Sequence, residues 1–113
     1  MTTLLIIDDE PDLIELLEYV ISELFPDLKI ETASSVEIAK TKVDLCDIIL
    51  SDIQMPYMDK LEEMLIASGK PVGRCSGSDP KGKIPFIPKP FTDAQVYSVI
   101  QELLVSLGNA RRN

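Results

Sequence analysis

Two apolar runs in this chain end in the same way. Leu4-Leu5-Ile6-Ile7 is followed by Asp8-Asp9, and Ile48-Ile49-Leu50-Ser51 by Asp52. Runs this short and this apolar predict strands buried on both faces, as in a parallel sheet covered by helices. Ligands of open parallel sheets lie at the carboxyl ends of the strands. Asp8, Asp9 and Asp52 are therefore expected at one edge, joined by Lys89, which follows Phe86-Ile87-Pro88. Three carboxylates gathered there repel one another. Unit charges about 4 Å apart interact by roughly 1 kcal/mol in water and roughly 4 kcal/mol at an effective dielectric near 20. One lysine does not offset three such groups. A hard divalent cation with oxygen ligands does, and Mg²⁺ (or Mn²⁺) is the one expected.

The rest of the chain alternates between helix and strand signals. Leu13, Leu16, Leu17, Val20, Ile21 and Leu24 recur at spacings of three and four, which predicts a helix over Asp12 to Phe25. Glu15, Glu18 and Ser22 occupy its other face, with Pro11 in the first turn and Pro26 just beyond the end. Lys29 to Ala33 reads as a second strand. Ser34 and Glu37 have capping-box spacing, opening a helix to about Val43. Leu61 to Ser68 predicts a third helix closed by Gly69. Val72 to Cys75, weakened by Gly73, and Ile84 to Ile87 predict the fourth and fifth strands. Thr92 and Gln95 form a second capping box, and the last helix turns Val96, Val99, Ile100, Leu103, Leu104 and Leu107 inward before Gly108 ends it. This order implies an α/β fold, a small doubly wound sheet with helices on both faces.

One segment breaks the alternation. Ser76-Gly77-Ser78-Asp79-Pro80-Lys81-Gly82-Lys83 carries two glycines and a proline, which is turn chemistry. A parallel crossover usually holds a helix, and so short a stretch cannot contain one with its two connections. Either a bare loop joins the fourth and fifth strands, or the two segments are not both strands; the loop is the reading we adopt.

Composition narrows the function. The 113 residues suffice for a single domain with one core, expected to span 1–113. The net charge of −8 opposes nucleic-acid binding, and Arg111 and Arg112 read as a solvated terminus. The longest apolar runs are far too short to cross a membrane. No secretion signal is visible, so a cytoplasmic location is expected, with Cys46 and Cys75 as reduced, buried thiols. The chain has no histidine, which removes a catalytic triad and makes a zinc site improbable. Phosphate arriving from a phosphohistidine must then come from a partner.

These residues, in this order, resemble the receiver domain of two-component response regulators, of the chemotaxis-regulator type. The resemblance rests on four segments: Asp8-Asp9, the run from Asp52 to Asp59, Ser76-Gly77, and Lys89-Pro90-Phe91. It covers nearly the whole chain. It implies a flavodoxin-like five-stranded parallel sheet of order 2-1-3-4-5. It also implies that Asp52 is the phosphoacceptor, its carboxylate attacking phosphorus. Asp9 would bind Mg²⁺ directly, Asp8 through water, with Asp52 and the backbone carbonyl of Gln54 completing the protein ligands. Lys89, the Ser76 hydroxyl and the Gly77 amide would hold the phosphoryl oxygens, making Asp52, Lys89 and Ser76 the catalytic set. Ser76 and Phe86 would be the switch pair, and the Lys89-Pro90 bond would be cis. Ser78 is an alternative hydroxyl, and Phe86 is equally well read as ordinary strand packing.

The chain also departs from that family. The helix between strands four and five is replaced by a short loop, so the surface that usually reports phosphorylation is truncated. Output would then use another surface or order the loop from Gly77 to Lys83. The sheet uncovered there would be covered by a partner or a second copy of the chain. Lys60 stands where the family commonly has a glycine supplying positive φ, and Arg74 is expected to point outward at an altered edge.

The leading expectation is a stand-alone receiver that takes phosphate onto Asp52 from a histidine kinase or histidine phosphotransferase and passes its signal to an unknown downstream protein. It would be no enzyme beyond its own phosphorylation and dephosphorylation. The competing reading is a degenerate receiver that binds proteins independently of phosphate. Aspartate-nucleophile phosphohydrolases also use a strand-end aspartate and Mg²⁺, but need a second acid two residues on, where this chain has Gln54.

Overall fold

The computed structural model describes residues 1–52, 55, 57–76 and 85–111, with only the backbone of residues 76, 110 and 111. Five strands form one parallel sheet: β1 (Thr3–Ile7), β2 (Lys29–Ala33), β3 (Ile48–Ser51), β4 (Val72–Ser76) and β5 (Phe86–Pro88). Their order is β2-β1-β3-β4-β5, as the resemblance implied. The helices are α1 (Pro11–Leu24), α2 (Val36–Lys42), α3 (Met58–Ser68) and α4 (Asp93–Arg111), with a 3₁₀ turn over Val43–Leu45. Among the described residues no helix separates β4 from β5. Of the expected loop, Ser76 to Lys83, Ser76 ends β4 and the rest lies outside the described residues.

β1 and β3 are covered on both faces, which is why these two strands contain no polar alternation. Leu4, Ile6, Ile48 and Leu50 point to one side and pack with Ile14, Leu17 and Ile21 of α1 and Val96, Ile100 and Leu103 of α4. Leu5, Ile7 and Ile49 point to the other and meet Val36 and Ala39 of α2 and Leu61 and Leu65 of α3. Each fully buried leucine or isoleucine contributes about 1.5–3 kcal/mol of transfer free energy, so the two layers hold the sheet from both sides. Cys46 and Cys75 are free and buried. Burial pushes the Cys75 thiol up to about 12, the charge of Lys89 opposing it, so this sulfur packs as an apolar group.

Several boundaries differ from the sequence reading. The cap of α2 is Ser35, not Ser34: its hydroxyl accepts from the Ile38 amide at 3.2 Å. Starting at Val36 aims Val36 and Ala39 at the sheet, and burial sets the phase of the helix. Leu16 is 49% exposed and Ile14 takes the inner position expected of it. α3 begins at Met58, so Lys60 is helical; the positive φ falls on Tyr57 (63°), ahead of the helix. Gly69 ends α3 in the left-handed region, as expected. The Thr92–Gln95 box is present, with reciprocal bonds of 2.8 and 3.2 Å. α4 nevertheless runs through Gly108 to Arg111. A glycine costs a helix about 1 kcal/mol, too little to stop one already docked on the core.

β4 explains its two unusual residues. A Cβ at Gly73 would lie 3.2 Å from Val99 and 3.3 Å from Leu103, so α4 sits directly on the strand backbone there. Arg74 does not point outward. β4 lies inside the sheet between β3 and β5, and Arg74 is only 6% exposed. Its Nη2 lies 2.6 and 2.7 Å from the two carboxylate oxygens of Glu62 on α3, while its Nη1 is buried without a hydrogen-bond partner among the described residues. Removing one member of a buried pair strands the other's charge. Glu62 is partly exposed and can turn to water; Arg74 cannot. Glu62→Ala should therefore cost about 2 kcal/mol in urea unfolding, more than Arg74→Met. Equal costs would contradict this asymmetry.

Candidate functional site

The register of the sheet builds the site. Ile7 pairs with Ala33 on one side and Ser51 on the other, Ser51 pairs with Arg74, and Ser76 with Pro88. The residues that follow, Asp8, Asp52 and Lys89, therefore emerge at the same carboxyl-terminal edge, with the end of β4 between them. The backbone fixes them further. The Asp8 amide donates to the Ala33 carbonyl at 3.1 Å, and the Asp52 amide to the Ile7 carbonyl at 2.9 Å. Lys89 stands beside the cis Lys89-Pro90 peptide bond.

The side chains converge. Lys89 Nζ donates to Asp8 Oδ2 at 3.0 Å and lies 3.5 Å from Asp52 Oδ2. Asp8 is 1% exposed and Asp52 3%. The other oxygen of Asp8 accepts from the Glu10 amide at 2.9 Å, so this carboxylate also organises the mouth of α1. Burial raises the pKa of Asp8; the Glu10 amide and Lys89 pull the other way without overcoming it. For Lys89, burial alone favours the neutral amine, but the bond to Asp8 and the fields of Asp8 and Asp52 outweigh it, and its pKa is raised. The ammonium form is thus the one this pocket holds.

Asp9 is exposed beside Asp8, and carboxylate oxygens of Asp8, Asp9 and Glu10 lie within 4.8 Å of one another. Glu10 was missed by sequence reasoning. It lies 3.7 Å from Lys89, and its place directly after the acidic pair was the available signal. Among the described residues Asp8, Glu10 and Asp52 face the Lys89 ammonium, Asp9 lies beside Asp8, and every carboxylate donor is oxygen. That donor set fits Mg²⁺ or Mn²⁺ and suits a soft metal poorly.

The remaining expected residues are distributed as follows. Ser76 ends β4 at this edge, described by its backbone only. Phe86 lies in β5, half-buried and paired with Arg74. Gln54, Gly77 and Ser78 lie outside the described residues. A cleft of about 260 Å³ opens beside Asp9, lined also by Ser34, Ser35, Val36, Glu37, Met55 and Tyr57. A larger cavity of about 390 Å³, among Met1, Phe25, Asp27, Leu28 and Leu104, lies at the opposite edge of the sheet. It is no part of this site.

No protein-family model matches the chain, and no curated protein sequence matches it. Its fold does match solved structures. A CheY-like response regulator receiver domain protein from Methanospirillum hungatei superposes with a TM-score of 0.80 at 19% identity, covering 97% of this chain and 98% of that one. A response regulator receiver domain protein from Clostridium thermocellum gives 0.76 at 20% identity, covering 94% and 96%. The chemotaxis protein CheY4 of Vibrio cholerae gives 0.74 at 19% identity, covering 91% and 98%. The fold is that of response regulator receiver domains.

Lys89 is the one cation bonded to these acids among the described residues. Lys89→Met should lower stability in EDTA by about 1–3 kcal/mol, since it leaves Asp8 buried with an unmatched charge. Millimolar Mg²⁺ should restore more stability to this variant than it adds to the unaltered protein. Urea titrations with and without the metal measure both, and equal gains would count against a shared cation site.

Proposed function

We propose that this chain is a phosphoacceptor receiver of a two-component phosphorelay, with Asp52 as the acceptor. The observation that carries the proposal is the position of one lysine ammonium within 3.5 Å of both buried strand-end aspartates. A purely structural ion pair needs one carboxylate. Here a single cation is shared, further acids crowd it, and the cluster opens at the edge where such sheets bind ligands.

In this reading a partner protein, a histidine kinase or histidine phosphotransferase, presents a phosphohistidine. A carboxylate oxygen of Asp52 attacks phosphorus. The P–N bond breaks, its electron pair returns to the imidazole nitrogen, and the new P–O bond leaves an acyl phosphate on Asp52. Lys89 moves from the carboxylates to the phosphoryl oxygens and offsets their charge. Ser76, the last residue of β4, and Gly77, next in sequence, would supply a hydroxyl and an amide to the same oxygens. Asp8, Asp9, Asp52 and the Gln54 carbonyl would hold the divalent cation. A bound Mg²⁺ supplies charge neutralisation during transfer, and positioning and electrostatics do the rest. Asp8, tied to the Glu10 amide, keeps its carboxylate aimed at the pocket. The chain catalyses no reaction beyond its own phosphorylation and dephosphorylation.

Among the described residues no helix is long and apolar enough to cross a membrane. Together with the acidic surface, this supports work in the cytoplasm among proteins, away from nucleic acid.

Acetyl phosphate with Mg²⁺ should add the mass of one phosphoryl group, and Asp52→Asn or EDTA should abolish the addition. An unmodified wild-type mass under these conditions would assign the chain instead to phosphate-independent protein binding.

A further inference from the structure

A groove of about 290 Å³ beside α3 shares no residue with the acidic pocket. It is lined by Leu65, Ile66, Gly69, Lys70, Val72 and Arg74. Leu65 and Ile66 belong to α3, Gly69 ends it, and Val72 and Arg74 belong to β4. Three walls are therefore hydrocarbon and two are cations. Arg74 is more than nine-tenths buried, and its Nη1 has no hydrogen-bond partner among the described residues. Such a donor has lost water and received no acceptor in return. Lys70 gives its ammonium to a neutral acceptor, the Val43 carbonyl, and forms no ion pair among the described residues. Glu62 pairs with Arg74 and balances one of the two charges. The groove thus keeps one positive charge in excess, on a chain whose net charge is −8.

We propose that this groove binds a small organic monocarboxylate with an apolar body. The carboxylate would accept from Arg74 Nη1 and pair with Lys70, while the body would lie against Leu65, Ile66 and Val72. Size, charge and wall chemistry select this class. A water molecule takes up about 30 Å³, so the groove holds roughly ten ligand atoms of similar bulk, too few for a folded partner element. One excess charge matches a monoanion. A polyanion would bring further negative charge against an acidic chain. Inorganic phosphate would leave the hydrocarbon walls uncovered, and a neutral hydrocarbon would leave Nη1 without an acceptor. The inference does not depend on phosphoryl transfer, and its test contains no phosphate, so either can fail alone.

The test uses the whole chain with phenylacetate as the probe and phenylacetamide as its uncharged counterpart of the same shape. Amide and arginine side-chain nitrogen shifts are followed through the titration. Phenylacetate should bind in the millimolar range expected of so small a ligand, with shifts at Ile66, Gly69, Lys70, Val72 and the Arg74 guanidinium. Phenylacetamide should bind at least about tenfold more weakly, because it offers no charge-assisted acceptor. Lys70→Gln should weaken phenylacetate binding by a similar factor. So should Ile66→Glu, which sets a carboxylate in the groove; Ile66 is 75% exposed, so this variant should keep its melting temperature. If Lys70→Gln lowers the melting temperature, Ile66→Glu alone decides. No saturable shift with phenylacetate, equal binding by the amide, or unweakened binding by Ile66→Glu would overturn the proposal. So would shifts centred on Lys89 or on the cavity beside Phe25, because the anion or its ring would then sit elsewhere.

Discussion

Burying Asp8 and Asp52 on adjacent parallel strands costs free energy that only nearby positive charge can return. Lys89 supplies it, reaching both carboxylates from the far side of β4. The arrangement ties the two ends of the chain's fold together: Asp8 follows β1 and Lys89 follows β5, with most of the sequence between them. Asp9 and Glu10 add further negative oxygens beside it, and Lys89 is the one ammonium bonded to this cluster among the described residues.

The sheet makes that concentration of charge affordable. β1 and β3 are buried on both faces and registered residue for residue, from Leu4 with Ile48 to Ile7 with Ser51. A slip of one position would exchange the two faces of each strand and misplace Asp8 and Asp52 together. The apolar layers on either side, α1 with α4 and α2 with α3, oppose such a slip by burying every residue of both runs. Stability in the core and geometry in the pocket thus have one cause.

β4 has a different character from the other inner strands. Gly73 lets α4 approach its backbone, and Arg74 extends the other way to Glu62. The pair binds α3 to the strand that ends at Ser76. Its energetic weight is uneven, since the arginine is sealed in and the glutamate reaches solvent. The Nη1 left without a partner among the described residues marks this as a costlier solution than a hydrocarbon one, confined to the strand beside the shortened connection.

Much of the fold was legible because strands buried on two faces leave an unmistakable signature: short apolar runs, each ended by charge. The helices followed from their three-and-four spacing, and the Thr92–Gln95 cap from its residues alone. Asp8, Asp9, Asp52 and Lys89 could be named as a site because parallel strands deliver their ends to one edge. What the sequence could not decide was everything set by packing between elements. Ser35 rather than Ser34 caps α2, and Tyr57 rather than Lys60 carries the positive φ, because burial fixes where each helix starts. Arg74 turns inward since a strand's neighbours, not its own residues, determine whether it is an edge. Glu10 comes within 3.7 Å of Lys89, distant in sequence, only in the folded chain. Residue types and spacing determined which groups could do chemistry; the tertiary structure determined which of them share one cation.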